Sequence, residues 1–179
     1  MTAMATLWER WGVVLTVTAL ALPVAAGVAA AATRRRRRLG EPTAVAWYRS
    51  CCEVGAVVGT VPWLWMVFTP ADGPGGHRLV PLVDLVEVIG RDVGDAVVQI
   101  GGNLAVFAAA GFAAAARWRV PVRWIGVAAL CAASAIEAAQ AVLDIGRVSS
   151  VDDVLLNVCG ALIAARLGRR LSVPAVAPA

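Results

Sequence analysis

Charged side chains are scarce in this sequence. Only 16% of its 179 residues are Asp, Glu, Lys or Arg, whereas 60% are hydrophobic. A soluble globular protein needs more polar surface than this to cover its core, so the composition excludes that class. Apolar runs of about 18 residues or more recur along the chain, and runs of that length are typical of transmembrane helices.

Several reactive residue types are rare or absent. Histidine occurs once, as His77 in a loop, where we expect it to be solvated rather than catalytic. There is no Cys-x-x-Cys pair, and all four Cys lie within apolar runs, which is typical of buried filler rather than of a zinc site or a disulfide. No Ser/His or Cys/His constellation and no dense set of metal ligands is present. The sequence therefore predicts no metal and no cofactor.

Lysine is also absent, so all sixteen basic residues are Arg. They gather at the ends of apolar runs without the interleaved aromatic residues that would indicate nucleic-acid binding. Five of them follow the first apolar run at residues 34–38, whereas a cleaved signal peptide carries its charge before its apolar core. This pattern predicts a cytoplasmic anchor in contact with anionic head groups.

Five apolar runs predict an all-α bundle of about five transmembrane helices. They cover residues 11–32, 44–68, 96–116, 124–143 and 153–167. With the N-terminus outside and the C-terminus in the cytoplasm, twelve of the sixteen Arg fall in inner loops or at inner span ends. We therefore expect a multi-pass protein of the cytoplasmic membrane.

The chain divides into three parts. Residues 1–70 are predicted to form two transmembrane helices joined by a poly-Arg cytoplasmic loop, and residues 71–168 an outer loop with three transmembrane helices. Residues 169–179 are predicted to be a disordered tail. In the second span, Arg49 and Glu53 are four residues apart and are predicted to pair on one helix face.

The outer loop contains a second periodic segment. From Pro81 onward, apolar residues alternate with Asp84, Glu87 and Arg91 at three- and four-residue spacing. This spacing predicts a short amphipathic helix with Pro81 in its first turn. It is too short to span a membrane, so we expect it to lie on the outer interface and partly cover the bundle.

Polar side chains inside lipid are costly, and they usually face a protein interior or a wet cavity. At about 1.5 Å per residue, those in the last three spans lie within about 10 Å of the outer span ends. The set within the spans is Asn103, Glu137, Gln140 and Asn157, and the set in the turn above them is Arg147, Asp152 and Asp153. One interpretation is a hydrogen-bond network that joins three helices, at about 0.6–2 kcal/mol per contact. A carboxylate and three amides exceed what helix association requires, which favours an outward-facing polar pocket.

The order of these residues resembles the pattern of the VanZ-like membrane proteins over residues 79–167. The matching positions are Leu79-Val80-Pro81; Asn103, Phe107 and Gly111; Ser134, Glu137 and Gln140; Gly146-Arg147; and Asp152-Asp153, Asn157 and Gly160. Two positions depart from the pattern. Ala109 replaces a Pro that is common between the Phe and the Gly, so we expect a kink to be missing. Ser150 stands where many members carry a further Asp.

The resemblance implies a bacterial integral membrane protein. The family is named for a component of glycopeptide-resistance clusters associated with low-level teicoplanin resistance. We therefore expect a non-enzymatic protein that binds an envelope lipid, a cell-wall precursor or a glycopeptide-like ligand, with membrane lipids as partners and no nucleic acid. Arg147 would contact an anionic group of the ligand. Hydrogen bonds would come from Asn103, Gln140 and Asn157, and the site would also include Glu137, Asp152 and Asp153.

Two alternatives rest on the same residues. In a membrane-embedded enzyme acting on a lipid-linked substrate, Glu137 would be the acid or base. Asp152 or Asp153 would then be the second carboxylate or a ligand of a hard cation. Ion- or proton-coupled transport through Glu137 is the other alternative, although the five spans show no clear inverted repeat.

Overall fold

The computed structural model describes residues 3–71, 73, 75–91 and 93–172. Apart from turns and two short strands, this part of the chain is helical. Its elements are α1 (Ala3–Arg38), α2 (Thr43–Phe68), β1 (Gly76–Arg78), α3 (Val83–Arg91), α4 (Val93–Val106), α5 (Ala108–Arg117), α6 (Val122–Leu143), β2 (Val148–Ser150) and α7 (Val151–Arg170).

The all-α fold class is confirmed. Four segments are long and apolar enough to cross a membrane, namely Trp11–Arg38, Thr43–Phe68, Ala96–Arg117 and Val122–Leu143. They match the first four predicted spans, the third being formed by α4 and α5 together.

The fifth predicted span forms α7, which has 20 residues. At about 1.5 Å per residue that length suffices for a hydrocarbon layer of about 30 Å. Acidic residues occupy the first turn of α7 and arginines its last turn. Because of these charged ends, α7 is not among the four segments whose length and composition suit a membrane span.

Large apolar side chains point out of the bundle and small ones point in. Leu20, Val24 and Val142 are 72%, 68% and 84% exposed, whereas most of the buried apolar residues are Ala. In lipid, small residues at helix contacts let the backbones approach closely, while large apolar side chains are well solvated by acyl chains. This distribution of sizes is that of a helical membrane protein.

Helix α7 lies against α4, α5 and α6. Glycines make these contacts close: a Cβ on Gly160 would overlap the carbonyl oxygen of Leu104. From the facing helix, a Cβ on Gly111 would lie 2.6 Å from the carbonyl oxygen of Ala161. Gly160 and Ala161 therefore belong to the surface of α7 on which α4 and α5 pack.

The third span is interrupted at Phe107, which separates α4 from α5. Its backbone angles are φ −110° and ψ 6°, outside the usual helical range. The expectation of a missing kink, drawn from Ala109, was therefore wrong. Close helix contacts lie on both sides of this interruption: α7 contacts Leu104, and a Cβ on Gly59 of α2 would lie 2.5 Å from the Cβ of Ala109.

One end of the bundle, here called the arginine end, carries the C-termini of α1, α5 and α7. The poly-Arg stretch is not a loop, because α1 continues to Arg38 and only residues 39–42 connect it to α2. Arginine is a good helix former, and cations stabilise a helix C-terminus, so the helix persists. Residues 169 and 170 of the predicted tail belong to α7, and residues 173–179 lie outside the described residues.

The predicted pair of Arg49 and Glu53 within α2 does not form. Arg49 binds Glu41 at 3.0 Å, while Glu53 binds Arg36 of α1 at 2.6 Å and Arg117 of α5 at 2.7 Å. Two guanidinium groups satisfy more of the acceptor capacity of this carboxylate than one neighbour in its own helix could. Glu53 thereby ties three helices together at the arginine end.

The opposite end, here called the strand end, contains a parallel pair of strands that the sequence did not predict. In this pair, Gly76 of β1 lies opposite Val148 of β2, and Arg78 lies opposite Ser150. Each strand has three residues, which is too short for an alternating pattern to be recognised.

The short amphipathic helix forms as α3, two residues after Pro81. Leu82 has a φ of 69°, which is incompatible with a helix that begins at the proline. The polar side of α3 faces the protein, since Asp84 is only 8% exposed. Its apolar side points outward, with Val86 and Ile89 at 68% and 53% exposure. Leu85 and Val88 face the protein beside Asp84, so the inward side of α3 is mixed, whereas its outward side is apolar and suits contact with lipid.

Candidate functional site

The turn between α6 and β2 is fixed by contacts with the outer loop. Asp144 ends α6 in the left-handed conformation, and Gly146 follows with a φ of 69°. A Cβ on Gly146 would overlap the carbonyl oxygen of Ala71, whose own N–H donates to the carbonyl of Ile145 at 2.9 Å. Glycine is thus required at position 146, both by its backbone angle and by lack of space.

Arg147, the next residue, binds the C-terminal end of α2. Its Nε donates to the carbonyl of Thr69 at 2.9 Å, and its Nη2 donates to that of Met66 at 2.7 Å. The guanidinium also lies 5.7 Å from the ring centroid of Trp11 in α1. The last carbonyls of a helix lack intrahelical partners and carry partial negative charge, so a cation is favoured there. The group predicted to contact an anionic ligand is therefore engaged by the backbone of the protein.

Gln140 acts at the same helix end. Its side chain is buried, and its Nε2 donates to the carbonyl of Val67 at 2.8 Å. Gln140 and Arg147 together donate to the carbonyls of Met66, Val67 and Thr69 at the end of α2.

Glu137 holds β2 against α6. Its carboxylate accepts from the N–H of Ser150 at 2.8 Å, and its backbone carbonyl accepts from the hydroxyl of Ser149 at 2.9 Å. Ser150 is also the N-cap of α7, where its hydroxyl accepts from the N–H of Asp152 at 3.1 Å. An Asp, common at this position in VanZ-like proteins, can cap a helix in the same way. The departure at Ser150 therefore preserves the cap.

Asp152 connects the N-termini of two helices. It lies in the first turn of α7, and its carboxylate oxygens accept from the N–H groups of Leu82 at 2.5 Å and Leu85 at 3.0 Å, where α3 begins. The unpaired N–H groups and the positive dipole at a helix N-terminus both favour a carboxylate. Asp152 therefore fixes α3 over the start of α7.

Beneath α3 lies a group of four side chains, Asp84, Gln99, Asn103 and Asp153, here called the acid–amide cluster. Asn103 Nδ2 donates to Asp153 Oδ1 at 2.5 Å, and Gln99 Nε2 donates to Asp84 Oδ2 at 3.1 Å. The two amides are four residues apart on α4, so they share one helix face. The cluster thus joins α3, α4 and α7 through two carboxylates and two amides.

Arg78 brings positive charge to the edge of the cluster. It pairs with Asp84 at 3.3 Å and with Glu87 of α3. Its position follows from the strand pairing, which places Arg78 opposite Ser150 at the start of α7.

The space beneath α3 is closed. It is lined by Asp84, Leu85, Val88, Gln99, Ile100, Asp152, Asp153 and Leu156, and it leaves about 0 Å³ for a water-sized sphere. At these residues the structure has a covered polar cluster rather than an open pocket, with α3 as its cover.

Asn157 lies one turn below the cluster on α7. It is 3% exposed, and its Nδ2 donates to the carbonyl of Asp153 at 2.7 Å. Its Oδ1 is buried without a hydrogen-bond partner among the described residues. A buried amide oxygen in that state costs about 1–3 kcal/mol, so it is an uncommon feature of a well-packed core.

The predicted site residues fall into two groups. Asn103, Asp152, Asp153 and Asn157 come together at the start of α7. The others, Glu137, Gln140 and Arg147, contact the backbone of β2 and α2 instead.

Sequence reasoning did not include three residues of this region, Arg78, Asp84 and Gln99. A signal for two of them existed, because Gln99 precedes Asn103 by four residues and Asp84 lies on the polar face of α3. Arg78 depends on the unpredicted strand pair. Among the described residues, no three His, Cys, Asp or Glu side chains are grouped to hold a metal ion.

The long apolar helices, the interior of small residues and the buried polar cluster define a polytopic helical membrane protein. The family model of VanZ/LLP1 matches residues 56–171, and the chain belongs to this family. The match includes every residue of the acid–amide cluster. Searches among curated proteins and among solved structures gave no match.

Proposed function

We propose that the protein is a non-enzymatic membrane protein that binds a polar group of an envelope ligand at the acid–amide cluster. The ligand is an envelope lipid, a cell-wall precursor or a glycopeptide-like molecule, and its binding alters susceptibility to glycopeptides of the teicoplanin type. The observation that carries this proposal is the cluster itself, in which Asp84 and Asp153 lie with two amides under a helix whose apolar side faces outward.

The chemistry of the cluster indicates which group it recognises. Carboxylate and amide oxygens accept hydrogen bonds, so the cluster suits hydroxyl, ammonium or amide N–H donors. All three ligand classes carry such donors on sugars, amines or peptide bonds. Recognition of an anionic group through Arg147 is not part of this proposal, because that guanidinium binds α2.

Access to the cluster requires α3 to move, since the covered space does not admit water. The helix has nine residues and is held by the backbone hydrogen bonds to Asp152 and by the ion pairs of Arg78. A ligand that supplies donors to Asp84 and Asp153 would replace part of these attachments. Its apolar portion would lie against the outward-facing side of α3.

Contacts within the fold favour binding over the enzymatic alternative. Glu137 and Asp152 were the carboxylates proposed for catalysis, together with Asp153. Glu137 accepts from the N–H of Ser150, and Asp152 accepts from two N–H groups of α3. These hydrogen bonds give both carboxylates a structural role.

The test compares the molecules retained by the wild type and by Asp153→Asn. The protein is purified in mild detergent, and bound lipids and lipid-linked precursors are quantified by mass spectrometry. Removing one charged acceptor of hydrogen bonds should reduce retention of the ligand about tenfold or more. The same substitution should reduce the effect of the protein on teicoplanin susceptibility in cells.

Asp144→Asn is the matched control. Asp144 lies at the same end of the bundle, is exposed, and has left-handed backbone angles that Asn tolerates. It should behave as the wild type in both assays, with all three proteins equally stable to heating in detergent. Identical retained molecules in the wild type and Asp153→Asn would contradict the proposal, as would an equal loss in Asp144→Asn.

A further inference from the structure

The last turns of α1 line an open hollow at the arginine end. Its volume is about 390 Å³, and its lining residues are Arg34, Arg37 and Arg38. Residues three and four apart share a helix face, so these guanidinium groups extend from one side of α1. Arg36 belongs to the other side, where it binds Glu53 of α2.

Neighbouring carboxylates do not neutralise the hollow. At this end of the bundle the acidic residues are Glu41 and Glu53, and both pair with arginines outside the hollow, namely Arg49, Arg36 and Arg117. Within the described part of the chain, no ion pair involves an arginine of the hollow. Three cations that share one hollow repel one another, and an anion between them removes that repulsion.

Tryptophans indicate the depth of the hollow in the membrane. Trp47, Trp118 and Trp124 lie at the same end and are 44%, 53% and 56% exposed. The guanidinium groups of Arg117 and Arg123 each lie 5.9 Å from the ring of the adjacent tryptophan. Exposed Trp residues are enriched where the hydrocarbon layer meets the head groups. The anion present in quantity at that depth is lipid phosphate.

We propose that this hollow binds the phosphate of an anionic phospholipid from the leaflet at the arginine end. Guanidinium groups bind phosphate oxygens in pairs, and three of them line the hollow from one side of α1. The apolar part of α1 continues directly from the hollow into the membrane, where it provides a surface for the acyl chains. The site is separate from the acid–amide cluster, which lies at the opposite end of the bundle.

The experiment measures lipid binding by native mass spectrometry of the full-length protein in neutral detergent. The wild type is titrated with phosphatidylglycerol and, separately, with phosphatidylcholine. Arg37→Gln should weaken phosphatidylglycerol binding about fivefold, the contribution of one arginine near an anionic surface. Arg38→Gln should do the same, which protects the test against a folding defect in either variant. Phosphatidylcholine should not bind at the hollow.

Arg35→Gln is the charge-matched control. It removes the same charge from an exposed position of the same helix turn, but Arg35 does not line the hollow. It should keep wild-type affinity, and all variants should melt at similar temperatures because Gln is a good helix former. An equal loss in Arg35→Gln and Arg37→Gln would overturn the proposal, since the effect would then come from overall charge. Displacement of the lipid by inorganic phosphate at an equal concentration would also overturn it, because the hollow would then prefer free anions to the lipid.

Discussion

Arg147 shows how a single side chain can stabilise the end of a helix. Its guanidinium donates to two carbonyls of α2 through two different nitrogens, at 2.9 and 2.7 Å. A planar fork of donors suits this arrangement, whereas the ammonium of lysine is a single point of charge. At the scale of the residue, the role of Arg147 is therefore to stabilise the strand end of the bundle.

Arg147→Lys should lower the free energy of unfolding. The variant keeps the charge but loses at least one charge-assisted hydrogen bond, so we expect a loss of about 1–2 kcal/mol. Thermal unfolding in detergent measures this change. Arg123→Lys, at an exposed position near Trp124, is the control and should melt as the wild type does. Unchanged stability of Arg147→Lys together with lost ligand retention would instead support anion recognition by Arg147.

Helix packing in this protein depends on the closeness of backbones. Gly160 of α7 lies against the carbonyl of Leu104, and Gly111 of α5 lies against that of Ala161. Without a hydrophobic driving force between helices in lipid, such contacts and interhelical hydrogen bonds supply most of the attraction. The same contacts position Asp153 and Asn103 for the acid–amide cluster.

Gly160→Ala should destabilise the bundle. The added methyl group has no space beside Leu104, and over-packing of this kind costs about 1–3 kcal/mol. Gly101→Ala is the matched control, because a Cβ there meets nothing within 4 Å. It should be neutral or stabilising by about 0.5–1 kcal/mol, the usual gain for this exchange within a helix. Equal melting temperatures of the two variants would show that α4 and α7 are not packed as described.

The elements that sequence could predict are those whose hydrogen bonds are local. A transmembrane helix satisfies its backbone within one segment, so a long apolar run suffices to predict it. The strands β1 and β2 pair residues about 70 positions apart, as His77 with Ser149, and no local pattern reports such a pairing. The interruption at Phe107 likewise involves no proline, so the usual local signal for a break in a helix is missing there.

The candidate site was also predictable only in part. Asn103 and Asp153 stood out because amides and carboxylates are rare within apolar runs. The roles of Arg147 and Glu137 were harder to assign. Arg147 binds the backbone of α2 and Glu137 that of β2, and any residue could provide such backbone groups. When a side chain binds a backbone carbonyl or N–H, the sequence contains no complementary side chain that would reveal the contact.

On the scale of the whole molecule, charge is segregated between the two ends of the bundle. Twelve of the sixteen arginines belong to the arginine end, while Asp84, Asp152 and Asp153 lie at the strand end. Arginines are retained on the cytoplasmic side of bacterial membranes, which predicts that the strand end faces outward. Binding of an envelope ligand at the acid–amide cluster requires that orientation.

Labelling of single cysteines tests this claim most directly. The four native cysteines are replaced by alanine, and one cysteine is introduced either as His77→Cys in β1 or as Leu39→Cys beside the poly-Arg stretch, a position that is 71% exposed. Neither change removes an arginine, so the topology signal is kept. With a membrane-impermeant maleimide on intact cells, His77→Cys should label, and Leu39→Cys should label only after the membrane is permeabilised. Labelling of Leu39→Cys but not His77→Cys in intact cells would place the acid–amide cluster on the cytoplasmic side and contradict an outward-facing site.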